Sequence, residues 1–155
     1  MLPVHDPDFG PMQFDGAEWV LERRAVFNGV AVPVRIEAEH ADTGTLSPVQ
    51  RAAVQLALAL PPDVLAVSAP AVVQNYGVYR EMIGDDEMPP LAAPADVWRA
   101  VTPSYISVPP HGTITTPSFL LLAECDWDPE HGVVVRFRNG YADASNQQGE
   151  LGLED

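Results

Sequence analysis

The chain has 155 residues, 46% of them hydrophobic, and 22 acidic residues against 8 basic ones give a net charge of −14. That length suggests a single domain over 1–155 with a sizeable core, and 16 prolines and 11 glycines imply many turns rather than disorder. Every basic residue is arginine, which excludes a Schiff-base or P-loop lysine, and no basic stripe is present to hold nucleic acid.

A single cysteine, Cys125, allows no internal disulfide, and its apolar surroundings read as those of an inert buried thiol. The N-terminus lacks the basic and apolar regions of a signal peptide. The apolar stretch from Ala52 to Val73 is broken by Gln55, Pro61, Pro62, Asp63 and Pro70, so it falls short of the span of about 20 residues that a membrane helix needs. A cytoplasmic location without membrane contact is the expectation.

Residues 1–12 are rich in Pro, Asp and Gly and are expected to be irregular, with Phe9 anchoring them on the core. His5, Asp6 and Asp8 carry metal-ligating groups, but an exposed start is the simpler reading. Ala17 to Phe27 reads as a strand with Trp19 and Leu21 on one face. Asn28-Gly29 is a strong hairpin signal, and Val30 to Glu39 returns with Val32, Val34 and Ile36 on one face. After a loop over Ala41 to Leu46, Ser47-Pro48-x-Gln50 predicts a helix start: N-cap, proline at the first position, capping box. This helix runs to about Leu60, where Pro61 and Pro62 stop it. Asp63 to Met82 predicts a second helix, or a helix kinked near Pro70, in which Tyr76 and Tyr79 pack against the sheet. Gly84 to Pro94 is an exposed acidic loop, Ala95 to Val101 a short helix with Trp98 on its buried side, and Pro103 to Val108 a strand. Pro109 to Pro117 is a turn-rich link containing His111.

Phe119 to Tyr141 organises the chain. Phe119 to Glu124 is an apolar run expected to be buried on both faces. Val133, Val135 and Phe137 then alternate with Val134, Arg136 and Arg138, which puts the arginines on the wet face. Between the two strands, Asp126 to Gly132 reads as a loop. Asn139-Gly140 signals a tighter turn into a last short strand over Tyr141 to Ala144, and the tail from residue 146 is expected to fray. The order predicts an α+β fold: an antiparallel sheet of about five to six strands with a helical pair packed on one face.

Two sets of residues carry candidate chemistry. Asp126, Asp128, Glu130 and His131 could form a metal site or an acid/base cluster, although turn chemistry alone selects such residues, and the spacing excludes an EF-hand loop. Asp85, Asp86 and Glu87, with Trp127, Asp128 and Glu130, are candidates for meeting a basic protein. No nucleophile elbow, metalloprotease helix, paired-cysteine or dinucleotide motif occurs. Pairing Cys125 with His5, His40, His111 or His131 is disfavoured because Glu124 and Asp126 oppose a thiolate. No cofactor is expected.

His5-Asp6-x-x-Phe9-Gly10, the Phe27-Asn28-Gly29 turn, Ser47-Pro48-x-Gln50 and Trp127-Asp128-x-Glu130-His131-Gly132 together resemble a group of small acidic bacterial proteins known only as domains of unknown function. The resemblance covers about residues 5 to 145 and rests on turns and caps. Some proteins of this sort are similar to immunity proteins that neutralise polymorphic toxins. The resemblance therefore implies stoichiometric protein binding without catalysis. A metal-dependent hydrolase or small-ligand protein using Asp126 to His131 is the alternative, and a structural domain without a discrete site is a third reading.

Overall fold

The computed structural model describes residues 3–39, 45–146 and 151–153. His40, most of the loop expected over Ala41 to Leu46, and part of the C-terminal tail lie outside the described residues.

Aspartate turns organise the N-terminal part. Asp6 Oδ1 accepts hydrogen bonds from the Asp8 and Phe9 amides at 2.9 and 3.0 Å, which reverses the chain between Pro3–Asp6 (β1) and Gly10–Phe14 (β2). Residues 3–12, expected to be irregular, are thus mostly strand. Asp15 repeats the device with the Ala17 and Glu18 amides and starts Glu18–Leu21 (β3). The single strand expected over Ala17 to Phe27 is divided, because Glu22 to Arg24 leave the sheet. Ala25–Phe27 (β4) and Val30–Val32 (β5) then form a separate two-stranded sheet. Asn28 and Gly29 close that hairpin with φ of 52° and 76°. After Pro33 the chain rejoins the main sheet as Val34–Glu37 (β6), antiparallel to β3.

Ser47 caps the first helix, Pro48–Leu58 (α1), by accepting the Gln50 amide hydrogen bond. Only half of the capping box forms, since the Gln50 side chain points into the protein instead. The second helix, Val64–Ile83 (α2), runs unbroken through Pro70. An interior proline removes one helix hydrogen bond; the first half of the helix is also held from outside, where Trp98 Nε1 donates to Leu65 O at 2.8 Å. Ser68 is buried in mid-helix, with its hydroxyl on the Val64 carbonyl. A 3-10 helix over Pro94–Ala100 leads into Val101–Val108 (β7). Ser118–Cys125 (β8), Asp128–Arg138 (β9) and Tyr141–Asn146 (β10) complete the chain's regular structure.

The main sheet has eight strands in the order β1-β2-β3-β6-β7-β8-β9-β10, more than the five or six expected. It is not wholly antiparallel, because β6 and β7 run parallel. That pairing follows from the connection: both helices and the 3-10 turn cross over between these two strands. The helices cover one face, α1 over β6 to β8 and α2 over β9 and β10. Phe27, Phe119 and Phe137 are fully buried at its centre, with Phe119 stacked on Phe137 at 4.9 Å. Among the described residues, no helix is long and apolar enough to cross a membrane.

Candidate functional site

The second half of α2 is a hub. Asn75 and Tyr79 lie one turn apart, as do Tyr76 and Arg80, so four polar side chains leave the helix on adjoining faces. Asn75 Oδ1 accepts from Trp127 Nε1 at 2.8 Å. The Tyr76 ring meets the Trp127 ring edge-on at 5.3 Å, and its hydroxyl donates to Pro89 O at 2.6 Å. Tyr79 donates to Asp128 Oδ2 at 2.7 Å. Arg80 holds the loop after the helix, pairing with Asp85 at 2.9 Å and donating to Met88 O at 3.0 Å. Both acidic segments singled out from sequence are therefore tied to the one stretch from Asn75 to Arg80.

The turn between β8 and β9 is tighter than expected. Asp126 and Trp127 alone make it, and β9 begins at Asp128. The residues expected to fill a long loop instead lie in an irregularity of β9: Cys125 pairs with Asp128 and Ala123 with Val133. Gly132 at φ 70° absorbs the bend. The Asp126 amide donates to Ala100 O, which fixes the turn against the end of the 3-10 helix.

This arrangement sorts the candidate residues. Trp127 and Asp128 are buried and serve as internal anchors, so neither presents its side chain to a partner. Asp85 is exposed but already paired with Arg80. Asp86, Glu87, Asp126 and Glu130 are exposed, and none makes an ion pair among the described residues. The Asp128 carboxyl would be pushed up by burial, but the Tyr79 hydroxyl and the His131 amide and imidazole outweigh that and lower it. His131 Nδ1 lies 3.2 Å from Asp128 Oδ1. Among the described residues, no three His, Cys, Asp or Glu side chains are placed to hold a metal ion. At the N-terminus, His5 is exposed, while Asp6 and Asp8 are both taken by Arg51.

Cys125 is buried, and desolvation by that burial pushes its thiol up to about 11. A thiolate nucleophile is thereby disfavoured. A second polar cluster was not anticipated. Gln50, fully buried, donates through Nε2 to Glu37 O at 2.8 Å and to Pro109 O at 3.3 Å. His111, also buried, accepts the Ser118 amide on Nε2 at 3.1 Å and faces Pro109 O through Nδ1. The Ser118 amide can only donate, so Nδ1 carries the imidazole proton. Glu39 joins the cluster by accepting from Ser47 Oγ and the Gly112 amide. These groups tie α1 to the ends of β6 and β7. Asn75 and Arg80 likewise escaped the sequence reading, since neither lies in a motif and only their partners mark them out.

In comparisons with known proteins, no curated protein and no solved structure matches this chain. One family model does, over residues 8–151, from the turn into β2 to the tail beyond β10. The chain accordingly belongs to the family described as domain of unknown function DUF6985.

Proposed function

We propose that this chain is a non-catalytic protein-binding module of the bacterial cytoplasm, an immunity-type inhibitor whose partner is a basic toxin. The observation that carries this reading is the convergence of two acidic segments on Asn75 to Arg80. Rigid internal anchors at Trp127, Tyr76 and Tyr79 support a rim of exposed carboxylates at Asp86, Glu87, Asp126 and Glu130. A rim held in advance loses less conformational entropy on binding. The net charge of −14 would steer a cationic surface toward it, and inhibition would follow from occlusion.

The test is capture of a basic protein from a bacterial lysate at low and high salt, followed by association kinetics with the purified pair. Replacing Asp86, Glu87, Asp126 and Glu130 together by lysine should slow association by about tenfold or more at low salt and flatten its salt dependence. An unchanged rate would remove the acidic rim from the mechanism. Failure to capture any basic protein would count against the function itself.

A further inference from the structure

We propose that the solvent face of α2 is the contact surface of a symmetric homodimer, in which the helix packs antiparallel against the same helix of a second copy. This goes beyond the binding-module reading and does not depend on it.

From Val64 to Tyr79, α2 carries no charged residue, although 19% of the chain is charged. A surface helix ordinarily turns charged side chains to water, and a helix that is apolar all round is a covered one. Here the face turned away from the sheet is open: Val67 is 38%, Val78 53% and Met82 70% exposed. Val67, Ala71, Gln74, Val78 and Met82 recur every three or four residues and so form one stripe along the helix. Ala66 and Pro70 flank it with short side chains, which let a second helix approach closely.

Charge selects the occupant. A basic partner is drawn to carboxylates, not to a stretch that has none. Two copies at −14 each repel wherever their acidic surfaces meet, so an uncharged stripe is where they can touch at least cost. The stripe is also self-complementary. With the two helices antiparallel and the two-fold axis beside Gln74, Val67 meets Met82, Ala71 meets Val78, and Gln74 lies near its own copy. Two carboxamides at the axis can exchange hydrogen bonds, since each carries both donors and an acceptor. One helix pair covers less than the roughly 800 Å² per partner of a standard interface, so the dimer should dissociate on dilution.

Sedimentation equilibrium of the full chain over a range of concentrations tests this at low and high salt. A monomer–dimer equilibrium should appear and tighten as salt screens the repulsion, the opposite of the salt response expected with a basic partner. Gln74→Glu places two carboxylates at the axis and should weaken the dimer by about tenfold or more, whereas Gln74→Leu should strengthen it. Gln74 is exposed, so neither variant should disturb the fold, which circular dichroism checks. Gln74→Cys should form an interchain disulfide on mild oxidation, because the native thiol, Cys125, is buried. A monomer at every concentration up to about 1 mM would overturn the proposal. A dimer indifferent to Gln74→Glu would overturn it by placing the contact on another surface. Protection of α2 amides from hydrogen exchange by a captured basic protein, with no self-association, would overturn it by giving this face to that partner. The functional reading falls by a separate result, the absence of a basic partner in the lysate.

Discussion

Asp6 and Asp128 are buried carboxylates toward opposite edges of the sheet, each holding a turn against a helix. The Arg51 guanidinium, which grips Asp6 with both of its terminal nitrogens, holds that carboxyl below its usual value. Tyr79 and His131 lower Asp128 against the effect of burial. Glu39 follows the same pattern, with the Ser47 hydroxyl and the Gly112 and His111 amides overcoming burial. For such groups the unfolded chain takes up protons first as pH falls, so their stabilisation is present above the ordinary carboxylate range of about 3.9–4.3. It is lost as pH drops through the lower folded-state values. Glu18 has the opposite sign: burial raises its carboxyl, so its contribution is present below the ordinary value and lost as pH rises through the folded one. Asp6→Asn should therefore cost about 1.5–3 kcal/mol at pH 7, the range for hydrogen bonds to charged groups. The difference from the parent should shrink as pH falls through the acid range. Urea unfolding at a series of pH values measures both, and a penalty independent of pH would show that shape rather than charge matters at Asp6.

At the scale of elements, α1 is joined to the sheet by one side chain, Gln50, which spans the ends of the parallel pair β6 and β7. Gln50→Met keeps the volume but removes the donor that the Glu37 and Pro109 carbonyls share, so it should destabilise by about 1–3 kcal/mol. A near-neutral methionine variant would mean that packing, not hydrogen bonding, joins these elements. Gln50 also marks how far the sequence could be read. The Ser47-Pro48-x-Gln50 signature located the helix start correctly, because capping is local. It assigned Gln50 to the cap, because nothing local reveals two carbonyls that reach it from Glu37 and Pro109. The burial of Val133, Val135 and Phe137 and the Asn28-Gly29 and Asn139-Gly140 turns were legible for the same local reason, whereas Val134, expected with the arginines on the wet face, is buried as well. The division of Ala17 to Phe27 was not, since β3 ends at Leu21 and β4 pairs with β5 in a separate sheet, a choice of partner that no local signal reveals. At the candidate site, the acidic residues were visible by type. The roles of Trp127 and Asp128 were hidden, because burial against α2 is a property of the assembled fold.

Over the whole molecule, charge is spent unevenly. Arg35, Arg51, Arg80, Arg99, Arg136 and Arg138, six of the eight arginines, pair with carboxylates of the same chain. What remains on the surface is a large acidic excess, which is why association rates should respond to ionic strength over a range set by a screening length of about 10 Å at 0.1 M salt. The parallel pairing of β6 and β7 has a kinetic consequence. Val34 lies opposite Ile106, so this contact joins positions 106 − 34 = 72 residues apart. The strands β7 to β10 pair with chain neighbours across short connections, and closing short loops costs less entropy than closing long ones. The C-terminal meander should therefore assemble first and wait for β6, with the two halves of the sheet zipping together at the parallel seam late in folding. Val34→Ala, at a fully buried position of that seam, should accelerate unfolding while leaving refolding nearly unchanged. Pulsed hydrogen exchange should find the amides of β8 and β9 protected before those of β3 and β6. Simultaneous protection would mean that the long crossover closes early, and that a nascent chain has no half-sheet intermediate whose exposed β7 edge must be kept from other strands.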